Sequence, residues 1–312
     1  MRKYRFVQLD VFTDRAFAGN SLAVFPEPQG LSDDEMLKIS REMNLSETVF
    51  VLPPQDKQAL RRLRIFTPTR EIPFAGHPIV GTWNALAREG VVPLPVDGNG
   101  WTRILHEIGI GVLPVDIEFK DGQPLQVVMT QGKPEMGAVM EDTHEQADLA
   151  RALGLATEDF DETLPIQIIS TGLQFLTVPI RSLADLRNCR VNSTLLGEIY
   201  RRAGGTGCQP FTRETIEVGA ARAHARMFAP DDNIPEDPAT GSAAGALGAY
   251  LVHHAALPDK PVDGTYKFVI EQGDFIHRPS RIQLEVKGEA GAVTQVRVGG
   301  PSVVVAHGEV EF

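Results

Sequence analysis

The feature that most constrains this chain is an internal echo. Residues 64–73 read R-I-F-T-P-T-R-E-I-P and residues 226–235 read R-M-F-A-P-D-D-N-I-P, at a constant offset of 162. Five of the ten positions are identical (Arg, Phe, Pro, Ile and Pro), and both copies run into a turn of small residues and then a helix-like stretch. The turns read F-A-G-H-P-I-V-G-T and E-D-P-A-T-G-S-A-A. Two unrelated strand–turn–helix units could resemble one another this far by chance. The first capping-box helix does not extend the match, because the box at Ser32/Glu35 and the similar one at Thr143/Gln146 lie 111 apart, so the second half would need an insertion of 51 residues. Duplication is the reading taken here, since a period decides architecture ahead of any single motif. Two similar halves imply a cleft between them.

The elements around the echo are mostly strands. Val7, Leu9 and Val11 alternate with Gln8 and Asp10, the period of a strand with one wet face. Short β-branched runs at 48–52, 63–66, 112–119, 125–130, 166–169, 175–180, 221–228, 281–286 and 303–312 continue the pattern. Helices are fewer. Met36, Ile39 and Met43 follow the first capping box on one face, Ser193 caps a helix carrying Leu196 and Tyr200, and two more begin after the turns near Gly81 and Gly241. Residues 92–99 form a surface loop. With 29 Gly and 22 Pro, a helix bundle is disfavoured.

The charge balance excludes whole classes of partner. Thirty Lys and Arg against 41 Asp and Glu give a net charge of −11, the wrong sign for gathering around phosphates or anionic lipid. Nucleic acid and membrane are therefore not expected as partners, and no apolar run reaches the roughly 18 to 20 residues that cross a bilayer. Cys189 and Cys208 are too few for a disulfide framework, and a cytoplasmic location fits that count.

The small-residue turns are where chemistry can sit. Free N–H groups at a helix start bind carboxylates or phosphates, and Gly76 and Gly241 let a ligand approach the backbone closely. Capping and packing alone would also explain glycine and serine there. His77 lies between Gly76 and Pro78, where nearby N–H groups favour the neutral imidazole; a satisfied core histidine is the alternative. Asp237, before Pro238, is either a substrate-facing carboxylate or an Asx-turn residue. Glu47, at the mouth of an apolar strand in N-L-S-E-T-V-F-V, is either a proton shuttle or a solvated turn residue. No phosphate-binding loop, dinucleotide fingerprint or serine nucleophile elbow is present. His253 and His254 are adjacent and should point apart on a helix, so no metal site is expected. Neither cysteine falls in the two key turns. What remains is cofactor-free acid/base chemistry on a small anionic molecule.

Five stretches, D-V-F-T-D-R-A-F-A-G-N-S-L-A-V-F (10–25), N-L-S-E-T-V-F-V (44–51), F-A-G-H-P-I-V-G-T (74–82), S-T-G-L-Q-F-L-T-V-P (170–179) and P-E-D-P-A-T-G-S-A-A-G-A-L (235–247), resemble the phenazine biosynthesis PhzF-like isomerase family. Ser21 stands where that family often has Pro, and the loop around 92–103 looks longer than usual. The resemblance implies an α+β, diaminopimelate epimerase-like fold of two pseudo-symmetric domains, each a curved, mostly antiparallel sheet around a central helix. The halves would be 1–120 with the last strand, 301–312, and 121–300, with the active site between them.

The resemblance further implies catalytic roles for Glu47, His77 and Asp237 and substrate binding by Ser46, Gly76, Gly241 and Ser242. Glu47 would move a proton between carbons of a small cyclic amino-acid-like substrate, as in a trans-2,3-dihydro-3-hydroxyanthranilate isomerase. No cofactor or metal would be needed, and the partner would be a second copy in a homodimer. An epimerase or isomerase of another amino-acid-like metabolite, or a binding protein on the same fold, are the alternatives.

Overall fold

Two units of the chain repeat one strand order. In the computed structural model, which describes residues 1–312, the first unit comprises Met1–Thr130 with Gly299–Phe312 and the second Gln131–Val298. The first unit contains strands β1 (Lys3–Val11), β2 (Asn20–Phe25), β3 (Glu47–Leu52), β4 (Arg62–Phe66), β5 (Glu71–Ile72), β6 (Gly100–Ile108), β7 (Gly111–Lys120), β8 (Gln123–Thr130) and β17 (Ser302–Glu311). Its pairings run β17–β1–β2 antiparallel, β2–β3 parallel, β3–β4 antiparallel, β4–β6 parallel and β6–β7–β8 antiparallel.

The second unit contains β9 (Glu135–Val139), β10 (Gln167–Ser170), β11 (Gln174–Pro179), β12 (Gly207–Thr212), β13 (Ala223–Ala225), β14 (Thr265–Gln272), β15 (Ser280–Glu289) and all but the last two residues of β16 (Ala292–Gly300). Here β9–β10–β11 are antiparallel, β11–β12 parallel, β12–β13 antiparallel, β13–β14 parallel and β14–β15 antiparallel. The sequence of pairing types is the same in both. The place that β9 fills beside β10 is filled beside β1 by β17, which comes from the far end of the chain. β8 belongs to the first unit because it pairs with β7, so that unit ends at Thr130 and not at residue 120.

Helices α1 (Asp33–Met43) and α2 (Gly76–Arg88) belong to the first unit; α3 (Thr143–Leu153), α4 (Leu183–Asn188), α5 (Ser193–Arg202) and α6 (Gly241–His253) belong to the second. The counterpart of α1 is α5, since each is the helix directly before the second strand of its unit's parallel pair, β3 and β12, with α4 an extra short helix after β11. That removes the expected 51-residue insertion: the box at Thr143 belongs to α3, which is not the counterpart of α1. Other local expectations also change. Asp142, not Thr143, caps α3, accepting the His144 and Glu145 N–H groups, and Asn192, not Ser193, caps α5. α2 starts at Gly76, so Gly81 lies inside it. A side chain there would collide with Leu22 and Val11, each 2.6 Å from the Cβ position. Residues 100–103, expected in the long loop, are strand.

Each unit wraps its strands around one buried helix. α2 is buried from Gly76 to Ala87 and packs on β8, β1, β2, β3, β7 and β17; α6 is buried from Gly241 to Val252 and packs on β15, β10 and β11. α1 instead fully buries only Met36, Ile39 and Ser40; Met36 and Ile39, with Leu37 and Met43 packed against them, join Phe25, Phe50 and Phe66 in a cluster whose rings stand 5.1 and 5.5 Å apart. Its capping box is complete, with the Glu35 N–H donating to Ser32 Oγ and the Ser32 N–H to Glu35 Oε2.

A second duplicated device was not visible beforehand. Glu107 on β6 accepts the Gln55 and Asp56 N–H groups at 2.6 and 3.0 Å, and Glu271 on β14 accepts those of Ile216 and Glu217 at 2.8 and 2.7 Å. In each unit a carboxylate on one strand of a parallel pair thus pins the loop before its partner strand. No helix is long and apolar enough to cross a membrane.

Candidate active site

In the first unit the site starts from a strained loop. Phe12, Phe17 and Gly19 have φ of 63°, 67° and 64°, and only glycine fits the last, because a Cβ there would lie 2.3 Å from the Val11 carbonyl oxygen. Asp10 holds the loop, accepting the Phe17 N–H at 2.7 Å and the Ser21 hydroxyl at 3.1 Å. The loop delivers Asn20 to the start of β2, where it is buried. Asn20 Oδ1 accepts the Ser46 hydroxyl at 3.2 Å, and its Nδ2 lies 3.3 Å from His77 Nδ1.

Glu47 opens β3, in register with Leu22 of β2, and its side chain is only 12% exposed. It is not the solvated turn residue that local sequence allowed. His77 Nε2 stands 3.4 Å from Glu47 Oε2. Burial pushes the His77 imidazole down to about 3, against a smaller upward pull from a hydrogen bond to the Ser21 backbone. The ring is therefore neutral near pH 7, as expected, but removal from water is the cause and not neighbouring N–H groups. Glu47 Oε2 and His77 Nε2 are both buried and approach each other without forming a hydrogen bond. The structure thus brings together Ser46, Glu47, Gly76 and His77, and adds Asn20. Ala75, the residue preceding α2, makes no side-chain cap, so the first N–H groups of that helix are left for another acceptor.

In the second unit the turn D-P-A-T-G-S holds Asp237, buried, with Gly241 and Ser242 opening α6. The Asp237 N–H donates to the Met227 carbonyl at 2.9 Å, and the Thr240 hydroxyl donates to Asp237 Oδ2. Thr240, the residue before α6, makes no side-chain cap. Gln131 Nε2 donates to the Gly241 carbonyl at 2.8 Å, and the Thr171 hydroxyl donates to Gln131 Oε1 at 2.6 Å. Sequence reading missed Asn20, Gln131, Thr171, Thr240 and Gln272. All but Gln131 and Gln272 lay inside the family-like stretches, which was the available signal.

Other groups are placed elsewhere. A hollow of about 840 Å³ in the second unit, lined in part by Arg181, Arg213, Val218, Arg222 and Pro258, includes none of the candidate residues. Both cysteines are buried, and burial pushes the Cys189 thiol up to about 11. The His253 and His254 rings do not point apart; they meet at 4.9 Å because His254 is already the residue that ends α6. His254 Nε2 pairs with Gln167 Oε1 at 2.9 Å. No group of three or more His, Cys, Asp or Glu side chains is arranged to hold a metal ion.

The family model described as phenazine biosynthesis-like protein matches residues 9–308. The chain belongs to this family. It is 38% identical over 310 residues to an uncharacterized isomerase of Clostridium acetobutylicum, covering 99% of this chain and 98% of the relative. It is 35% identical over 309 residues to the trans-2,3-dihydro-3-hydroxyanthranilate isomerase of Pseudomonas aeruginosa, with 98% of each chain covered. The crystal structure of a Bacillus anthracis phenazine biosynthesis protein of the PhzF family superposes with a TM-score of 0.87 at 28% identity, covering both chains completely. The protein is an isomerase of the PhzF type on a diaminopimelate epimerase-like fold.

Proposed function

We propose that this isomerase moves a proton between two carbons of a small cyclic amino-acid-like substrate, with Glu47 as the general acid/base and no cofactor. The observation that carries the reading is the 3.4 Å approach of Glu47 Oε2 to Nε2 of the neutral His77. Glu47 takes a proton from one carbon; the C–H electron pair becomes part of a shifted double bond, and the Glu47 carboxyl group, its proton exchanging with solvent, delivers a proton to the far allylic carbon. Nothing is oxidised or reduced, so the step needs only a base that becomes an acid. His77, held through Asn20, stays neutral beside the Glu47 carboxyl group and orients the substrate. Asp237 assists proton transfer on the same substrate, while Ser46 and Ser242 bind its polar groups. The N–H groups at Gly76 and Gly241 take its carboxylate, which fits helix starts without side-chain caps.

The substrate class comes from the Pseudomonas aeruginosa relative, whose name specifies trans-2,3-dihydro-3-hydroxyanthranilate. The test is to follow that compound by proton NMR with purified protein, before and after exhaustive dialysis against a chelator. Double-bond migration at the same rate in both samples is expected. Migration that stops with the chelator and returns with metal would overturn the cofactor-free step, and no migration would move the substrate to another amino-acid-like metabolite.

A further inference from the structure

Gln272 lies at the end of β14 and is fully buried. Its amide makes three hydrogen bonds to one turn: Nε2 donates to the Asp237 carbonyl at 2.7 Å and to Thr240 Oγ1 at 3.1 Å, and Oε1 accepts the Thr240 N–H at 3.3 Å. Two of these partners fix the orientation of the amide without ambiguity, because a backbone carbonyl only accepts and a backbone N–H only donates. Reversing the amide would set oxygen against oxygen and N–H against N–H. The second Nε2 hydrogen therefore points at Thr240 Oγ1, which must accept it. A hydroxyl has one hydrogen, and here it goes to Asp237 Oδ2.

We infer that Gln272, acting through Thr240, is a positioning residue that holds Asp237 Oδ2 as a hydrogen-bond acceptor and so closes that oxygen to proton uptake. This rests on the reading of Asp237 as a proton-handling group. The corresponding position in the first unit, the last residue of β6, is the apolar Ile108. There the turn before the helix carries no carboxylate, so there is no acceptor to fix. At this strand position a buried amide stands only in the unit whose turn holds the acid.

The test reads the Asp237 carboxylate directly. Protein labelled with carbon-13 at the aspartate carboxyls is measured by infrared, and subtracting the spectrum of Asp237→Asn isolates the Asp237 band. Thr240→Val should shift the antisymmetric stretch and lower kcat about tenfold or more, with KM little changed. Thr240→Ser, which keeps the hydroxyl, should restore both. Gln272→Met frees the hydroxyl to rotate and should broaden the band. An unmoved band in Thr240→Val, a band that stays narrow in Gln272→Met, or failure of Thr240→Ser to rescue would overturn the inference. Full turnover by Asp237→Asn would instead break the catalytic reading of Asp237 and leave the band measurement standing.

Discussion

The two units share a strand order and differ in where each keeps its carboxylate. In the first, Glu47 opens β3 and His77 is the second residue of α2; in the second, β12 opens with Gly207 at the matching place and the turn before α6 carries Asp237. The polar supports differ accordingly. Asn20 ties Ser46 to His77 in one, while Gln272 and Gln131 hold the turn in the other. A duplicated scaffold has thus kept its pairing and its buried helix and exchanged the residues at one rim, which is where a new reaction can be built without repacking a core.

That difference predicts unequal consequences. Glu47→Gln keeps the shape and removes the base, and should cut turnover about a thousandfold; Asp237→Asn should cost about a hundredfold. Steady-state rates with both variants check this, and equal losses would mean that the two units share the proton work evenly. Next in size is Gly81→Val, which drives a side chain into Leu22 and Val11 and should destabilise the protein by about 1–3 kcal/mol in urea unfolding. Ser32→Ala, which removes one member of the α1 capping box, should cost about 1 kcal/mol.

Acid should also separate the units. Burial pushes His77 down to about 3 and His106 down to about 4, both in the first unit, whereas in the second His254 alone is lowered. A histidine kept neutral by folding is protonated first in the unfolded chain, so its contribution is intact above about 6.5 and stability falls as pH drops toward the folded value. The lowered Glu271 of the second unit acts later: its contribution is present above its ordinary value of 4.5 and is lost below it. Hydrogen exchange read by mass spectrometry between pH 6.5 and 4.5 should therefore show protection falling faster in the first unit, and His77→Gln should flatten that fall.

Much of this was legible in the chain and some was not, for physical reasons. The α1 capping box, the alternating strand at 3–11 and the paired turns are local signals, and each formed where its residues stood. β2 and β12 escaped notice because they are buried on both faces and so show no alternation. Glu47 and His77 could be named from motif likeness, but their contact depends on the parallel register of β2 and β3. Asn20 and Gln272 act on partners 26 to 57 residues away, a relation that no local pattern carries. The mispairing of Thr143 with the first capping box shows the reverse hazard: a good local signal says nothing about which element is the topological counterpart.

In this mechanism Glu47 itself carries the proton. The most direct measurement is deuterium incorporation, by mass spectrometry, into trans-2,3-dihydro-3-hydroxyanthranilate incubated with protein in heavy water. Wild type and Asp237→Asn should incorporate deuterium, the latter more slowly, and Glu47→Gln none above background although ligand binding persists. Equal incorporation by wild type and Glu47→Gln would contradict this mechanism.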